Sequence, residues 1–227
     1  MVTVVLLPVK DPERSKQRLA GLLSPGERTR LVWAMLEDVC AAVRGCRLAD
    51  RVVVVARDPE VADYAVGNGW EVFRETEQVS ESRSVDWASR QLEEQGAEAV
   101  LRLPVDIPLV QARDLDALLD PATRGPAAVL VPSQDGLGTN ALLRSPPLIF
   151  PSRFGAGSLQ KHLREARLRG FGVLVRKMPR LALDLDLASD LVRFQSLGKG
   201  TATQALLQRL GVGERLADLN RGAHAGS

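Results

Sequence analysis

The sequence predicts a single-domain α/β fold: a mostly parallel mixed sheet covered by helices on both faces. Three observations predict it. The runs at residues 2–7, 51–56 and 99–103 are almost continuously apolar and rich in β-branched residues, the pattern of strands buried on both faces. Segments with helix-start signals and helical apolar spacing alternate with those runs, which implies crossover connections and parallel pairing. Finally, 227 residues with 45% hydrophobic and 26% charged content supply one ordinary core, which excludes global disorder. Aromatic residues are only 4%, so that core is built from Leu, Val and Ala.

Taken in order, the first strand at residues 2–7 ends at Pro8. Ser24 is an N-cap, Pro25 stands at N1 and Glu27 at N3, opening a helix carried by Leu31, Met35, Leu36 and Val39. The second strand occupies residues 51–56. Asp58-Pro59-Glu60 caps a helix to about Val66, Gly67-Asn68-Gly69 ends it, and residues 70–73 form a short strand. The polar segment 75–83 has no period. A helix capped by Ser84 or Asp86 then runs through Ala88, Leu92 and Gln95 to Gly96. Residues 99–103 form the third central strand, 112–119 a helix, and 127–131 and 141–143 further strands. Gly157-Ser158 opens a helix through Leu163 and Ala166 that Gly170 stops, before a strand at 173–175. Residues 181–187 read as a short strand of alternating acidic and apolar residues. Ser189 caps a helix through Leu191 and Phe194. A last helix at 203–210 precedes a Gly/Ala/Ser tail expected to fray.

Several function classes drop out. A net charge of +2 leaves no footprint for non-specific nucleic-acid binding. The apolar N-terminus lacks a basic leader and is interrupted by Lys10 and Asp11, so it does not read as a secretory signal. No stretch of about 18 uncharged apolar residues exists to span a membrane. The expected setting is cytoplasmic, with Cys40 and Cys46 as reduced thiols. With His162 and His224 the only histidines, neither a zinc site nor a Ser-His-Asp triad has its parts. Metal chemistry must rest on carboxylates, which points to Mg²⁺.

In parallel α/β sheets, ligands bind beyond the carboxyl ends of the strands. Lys10, Arg14, Lys16 and Arg18 follow the first strand with no glycine cradle, so they suit either phosphate held by cationic side chains or a solvated surface loop. Asp106, wedged between Pro104 and Pro108, suits a metal ligand or the cap of a helix begun by Pro108. Alternation places Asp184 and Asp186 on one side of their strand, where a cation shared with Asp106 would relieve their repulsion; an exposed acidic edge is the other reading. Gly136 and Gly138 permit close approach of a ligand to the loop that holds Thr139 and Asn140. The small residues 155–158 enter a helix whose free amides favour an anion, or else Ser158 is a plain N-cap. Ser80, Ser82 and Ser84 alternate with charges and suit a base or ribose, or a flexible polar loop.

These segments together resemble one family. Pro8-Val9-Lys10, Ser15-Lys16-Gln17-Arg18-Leu19 and Leu22-Leu23-Ser24-Pro25-Gly26-Glu27-Arg28 are similar to the opening of the 2-phospho-L-lactate or phosphoenolpyruvate guanylyltransferases. Leu103-Pro104-Val105-Asp106-Ile107-Pro108-Leu109, Asp135-Gly136-Leu137-Gly138-Thr139-Asn140, Phe154-Gly155-Ala156-Gly157-Ser158 with His162-Leu163, and Leu183-Asp184-Leu185-Asp186 follow in matching order. The likeness covers roughly residues 2 to 195. It departs at Ser84-Val85-Asp86-Trp87 and after Asp186. The resemblance implies a nucleotidyltransferase fold of the glycosyltransferase-A, Rossmann-like type over residues 1–198, followed by a C-terminal helix and flexible tail over 199–227. It implies transfer of GMP from GTP to a phosphorylated three-carbon acid (2-phospho-L-lactate, phosphoenolpyruvate or 3-phosphoglycerate) with release of pyrophosphate. The product would pass to the next enzyme of coenzyme F(420) biosynthesis. By the same implication Asp106 and Asp186 hold Mg²⁺, and Lys16, Arg18 and Asp106 are catalytic. Pro8, Lys10, Lys16, Arg18, Ser82 and Ser84 contact the nucleotide, and Thr139, Gly155 and Ser158 hold the acceptor acid.

Overall fold

A computed structural model describes residues 2–77, 79–121 and 127–225. Its seven strands are β1 (Thr3–Val9), β2 (Arg51–Ala56), β3 (Glu71–Arg74), β4 (Ala99–Arg102), β5 (Ala128–Pro132), β6 (Thr139–Arg144) and β7 (Val173–Val175). They form one sheet in the order β3-β2-β1-β4-β6-β5-β7. All pairings are parallel except those of β6, which runs antiparallel to both β4 and β5. The expected mostly parallel mixed sheet is therefore present. Val5 sits between Val52 and Leu101, and Leu6 between Val53 and Arg102.

Because side chains alternate along each strand, the sheet has two dry faces. On one, Val5, Leu7 and Val54 meet α1 (Pro25–Gly45), α2 (Pro59–Gly67) and α4 (Ala112–Leu119) through Leu36, Val39, Val61 and Leu115. On the other, Val4, Leu6 and Val100 meet Val85, Ala88 and Leu92 of α3 (Glu81–Glu94). Farther along that face, Leu130 and Leu142 meet Phe150 and Leu159, the latter from α5 (Ser158–Leu168). The first helix forms as its sequence predicts: Ser24 Oγ accepts from Glu27 N–H, and Glu27 Oε2 accepts from Ser24 N–H at 2.8 Å.

Four local expectations are corrected. First, α3 starts at Glu81 with Ser80 as its cap, three or more residues before Ser84 or Asp86. Ser80 is extended, and its hydroxyl accepts from Arg83 N–H. Second, residues 181–187 are not a strand. Pro179 starts the short helix α6 (Pro179–Ala182), and the chain then crosses the carboxyl edge of the sheet as irregular backbone. Its polar groups are met by loops and a side chain instead of a ladder. Leu185 N–H donates to the Asp106 carbonyl, and the Asn140 amide donates to the Leu181 and Ala182 carbonyls. The alternation nevertheless survives, with Leu181, Leu183 and Leu185 all buried. Third, α7 (Ala188–Leu197) is not capped by Ser189; Asp190 reaches back to accept from Leu187 N–H at 2.7 Å. Fourth, the helix expected at 203–210 is not the last: α8 (Ala202–Arg209) is followed by α9 (Val212–Ala225). Leu206, Leu207, Val212 and Leu216 join Leu31, Met35 and Phe194 in a third apolar layer behind α1. The last two tail residues lie outside the described set.

Cys40 and Cys46 are free thiols. No helix among the described residues is long and apolar enough to cross a membrane.

Candidate active site

β1, β2 and β4 end along one edge of the sheet, and the loops that leave them enclose a cavity of about 690 Å³. Its walls include Pro8 near the end of β1, Lys10 and Lys16 after it, Arg57 and Asp58 after β2, Arg102 and Asp106 at and beyond the end of β4, Glu81 from α3, and Asp186. This is where a parallel sheet offers unpaired backbone groups and converging helix ends, so the address follows from topology.

Asp106, Asp184 and Asp186 each present a carboxylate oxygen within 4.8 Å of the other two. Asp106 is carried by the loop after β4. Since the backbone around residues 107–110 makes turns and α4 starts only at Ala112, Asp106 does not cap a helix. Asp184 accepts from the Asn140 amide at 3.2 Å. Lys16 approaches from the first loop in a left-handed backbone conformation, φ 55°, alone among described non-glycine residues. Its ammonium lies 2.8 Å from Asp106 Oδ2 and 2.6 Å from Asp186 Oδ1, and is only 7% exposed. Burial by itself would lower the Lys16 pKa, but the two carboxylates outweigh it and hold the group at about 12. Burial likewise opposes ionisation of Asp106, yet Lys16 keeps that carboxyl below its usual range. Asp184 has no such partner. Burial, then the Asp106 charge, pushes it up.

An oxygen-only set of three carboxylates, two of them already paired with one cationic side chain, fits a hard divalent ion. Asp184, which the resemblance does not assign to the ion, lies in the same cluster as Asp106 and Asp186. Arg18 stands farther out, 3.9 Å from Asp186 and 72% exposed.

Of the other sequence-predicted residues, Pro8 and Lys10 line the cavity, whereas Arg18, Ser82, Ser84, Thr139, Gly155 and Ser158 are not among its walls; Thr139 directly precedes Asn140, which meets Asp184. Thr139 opens β6, Gly155 bends the following loop at φ 105°, and Ser158 begins α5. Gly157 is the residue at the cap position, so the buried Ser158 side chain is not spent as an N-cap. His162 links Thr139 to the loop before α5: its Nδ1 is 3.0 Å from Thr139 Oγ1 and its Nε2 accepts from Arg153 N–H at 2.8 Å. Ser82 accepts from Phe154 N–H at 2.8 Å and so braces the loop to Gly155. Ser84 is buried and donates to the Ser80 carbonyl inside the first turn of α3.

Arg102 connects the two groups and was missed by the sequence reading. Its guanidinium lies 4.2 Å over the Phe154 ring, donates to the Asn140 carbonyl at 2.8 Å, and pairs with Glu81, which also meets Lys10. A signal existed: an arginine inside an apolar strand must find partners. Arg144, 1% exposed, had the same signal; it donates to Asp86, to the Phe150 carbonyl and to Ser89. Nothing in the sequence marks the contacts of Glu81 or His162, because their partners Arg102 and Thr139 lie 21 and 23 residues away.

Comparison with known proteins agrees with this geometry. The family model "Guanylyl transferase CofC like" matches residues 3–223. A phosphoenolpyruvate guanylyltransferase of Rubrobacter xylanophilus is 40% identical over 87% of this chain and 96% of its own. A 2-phospho-L-lactate guanylyltransferase of Methanothermobacter thermautotrophicus is 36% identical over 92% of each chain. Among solved structures, a protein assigned as a nucleotide-diphospho-sugar transferase from Desulfovibrio desulfuricans G20 superposes with TM-score 0.75 at 18% identity, covering 96% of this chain and 98% of its own. The fold is thus the expected single-domain, glycosyltransferase-A-like nucleotidyltransferase fold. Motifs, topology and family match converge, and the chain belongs to the guanylyl transferase CofC-like family.

Proposed function

We propose that this protein transfers GMP from GTP to the phosphate of a small phosphorylated three-carbon acid, with Mg²⁺ at the three aspartates, as a step of coenzyme F(420) biosynthesis in the cytoplasm. The observation that carries the reading is the convergence of the Asp106, Asp184 and Asp186 carboxylates, two of which, Asp106 and Asp186, pair with the Lys16 ammonium at one wall of the cavity. In the reaction, an acceptor phosphate oxygen attacks the α-phosphorus of GTP. One P–O bond forms, the α–β P–O bond breaks, and pyrophosphate leaves with its electron pair. A phosphate monoester is already ionised near neutral pH, so the step needs no strong base, in keeping with a site that has no nucleophile–base pair. A divalent ion would supply charge neutralisation and a template for the phosphates.

The chain's own work is positioning and charge. Asp106, Asp184 and Asp186 hold the ion. Lys16 and Arg18 face the triphosphate. Pro8 and Lys10 belong to the nucleotide side, which Ser82 and Ser84, their hydroxyls engaged with Phe154 N–H and the Ser80 carbonyl, support from α3, while Thr139, Gly155 and the amides at the start of α5 hold the anionic acceptor. The names of the relatives favour phosphoenolpyruvate and 2-phospho-L-lactate as acceptors.

The test is pyrophosphate release and product mass with GTP, Mg²⁺ and each of phosphoenolpyruvate, 2-phospho-L-lactate and 3-phosphoglycerate, with ATP, CTP and UTP alongside. Release that depends on GTP and on one of these acids supports the reading. GTP binding without turnover on any acid would end it.

A further inference from the structure

His162 is fully buried, and none of the roles above uses it. It lies one helical turn beyond Ser158 in α5, with Phe154 edge-on at 5.0 Å and Phe150 at 6.4 Å. Both ring nitrogens are engaged. Nε2 receives the Arg153 backbone N–H, which can only donate, so Nε2 carries a lone pair and no proton. A neutral imidazole has one N–H, and it must then sit on Nδ1. Burial, reinforced by the charges of Arg144 and Arg102, lowers the ring pKa to about 4 and keeps the ring neutral near pH 7.

The consequence falls on Thr139. Its oxygen accepts the Nδ1 proton, so its own hydroxyl proton must point elsewhere. Among the described residues no protein acceptor takes that proton. A hydroxyl whose oxygen is already engaged presents a donor to whatever stands before it, and an ionised phosphate or carboxylate offers only acceptors. The same ring holds Arg153 and Phe154, and so sets the path of the loop to Gly155 and Ser158.

We propose that His162 is the positioning residue that commits Thr139 to donate to the anionic acceptor acid and ties that donor to the Gly155–Ser158 end of α5. The inference rests on the guanylyl-transfer reading and deepens it.

Steady-state kinetics with Mg-GTP and a varied phosphorylated acid, on the full chain, test it. His162→Phe keeps a buried ring without the donor and is expected to raise KM for the acid by about tenfold, the worth of one such hydrogen bond, with KM for GTP unchanged. His162→Asn places an amide N–H near the Nδ1 position and is expected to recover most of the loss. In a Thr139→Val background, His162→Phe is expected to add nothing further. An unchanged acid KM, an equal rise in GTP KM, or additive losses would overturn the role.

A second measurement does not depend on variant folding. With only two histidines in the chain, the ¹⁵N imidazole spectrum of the wild type resolves His162 directly. A neutral Nδ1–H ring whose signal moves when the acid is added to the GTP-analogue complex is expected. An Nε2–H or charged ring, or a signal indifferent to the acid, refutes the proposal. A wild type that transfers to no acid sinks the guanylyl-transfer reading itself. A working wild type with indifferent His162 variants sinks only the role given to His162.

Discussion

Lys16 and Asp186 are 170 positions apart in the chain, and their charged groups meet at 2.6 Å. Lys16 also meets Asp106 at 2.8 Å, so one ammonium stands where two carboxylates converge. A divalent ion bound by the same oxygens would displace it and, in the proposed reaction, would leave a lysine beside the phosphates. Removing the ammonium therefore has two opposite effects. Lys16→Met is expected to lower guanylyl transfer by about 10²- to 10³-fold, the scale of losing one preorganised charge at the reacting phosphates. In nucleotide-free protein it is expected to bind Mn²⁺ more tightly than wild type, read by calorimetry. Equal or weaker Mn²⁺ binding would show that Lys16 does not compete for the site.

Asp106 separates function from stability. It lies beyond the end of β4 with its side chain 27% exposed, and Lys16 keeps Asp186 as a partner when Asp106 is neutral. Asp106→Asn is expected to cut pyrophosphate release by about 10³-fold, as expected for a lost metal-ligating charge, while stability changes by less than about 1 kcal/mol. A pyrophosphate assay and a thermal melt on the same preparation check both halves.

Arg144 is the opposite case. At 1% exposure it joins Asp86, Ser89 and the Phe150 carbonyl, and Asp86 in turn accepts from Ser152 N–H at 3.0 Å. Arg144→Met strands a partly buried carboxylate and a carbonyl. The expected cost is roughly 3 kcal/mol, or a fall in Tm of about 10 °C for a chain of this size. A melt within about 2 °C of wild type would refute it.

His162 predicts an acid limb in stability. Its folded pKa of about 4 lies below the unfolded value of 6.5, so between these pH values the unfolded chain binds the proton that the folded chain refuses. Arg102, Arg144 and Arg153 disfavour the charged ring, while Asp86 favours it. The contribution is fully present above about pH 6.5 and is lost progressively towards pH 4, by at most roughly 3 kcal/mol. Denaturant midpoints measured from pH 7 to pH 4 are expected to fall in the wild type and to flatten over that range in His162→Phe.

The docking of α9 has its own pH signature. The Glu27 carboxyl is held at about 2, chiefly by the Arg215 guanidinium and by the Ser24 N–H. A depressed carboxyl stabilises above its unfolded value near 4.5, and that contribution disappears as pH falls towards 2. Glu27→Gln is expected to reduce the loss of stability across this interval, and an unchanged acid profile would show that the pair holds nothing.

Much of the scaffold was legible. The apolar runs of β1, β2 and β4 identify buried parallel strands because no other placement hides such runs on both sides. The Ser24-Pro25-Gly26-Glu27 start identifies α1 because the cap is local chemistry. Asp106, Asp184 and Asp186 stood out because acids in apolar surroundings need a positive partner. What failed was either end-sensitive or non-local. Ser80 won over Ser84 as the α3 cap because Glu81 is drawn in by Arg102 and Lys10, residues outside that helix. Residues 181–187 have a strand's alternation but lie across the ends of other strands, where Asn140 and the Asp106 carbonyl meet their backbone groups.

Period, caps and isolated charges are written within a few residues of one another, so the primary structure is enough to assign the fold class, the main helices and the acids that need a cation. Which side chains share a hydrogen bond depends on how distant segments pack. Folding alone therefore brought Lys16 between Asp106 and Asp186, set Arg102 over Phe154, and gave His162 the proton arrangement that orients Thr139. Hydrogen bonds hold over about 3 Å in space, whatever the separation along the chain.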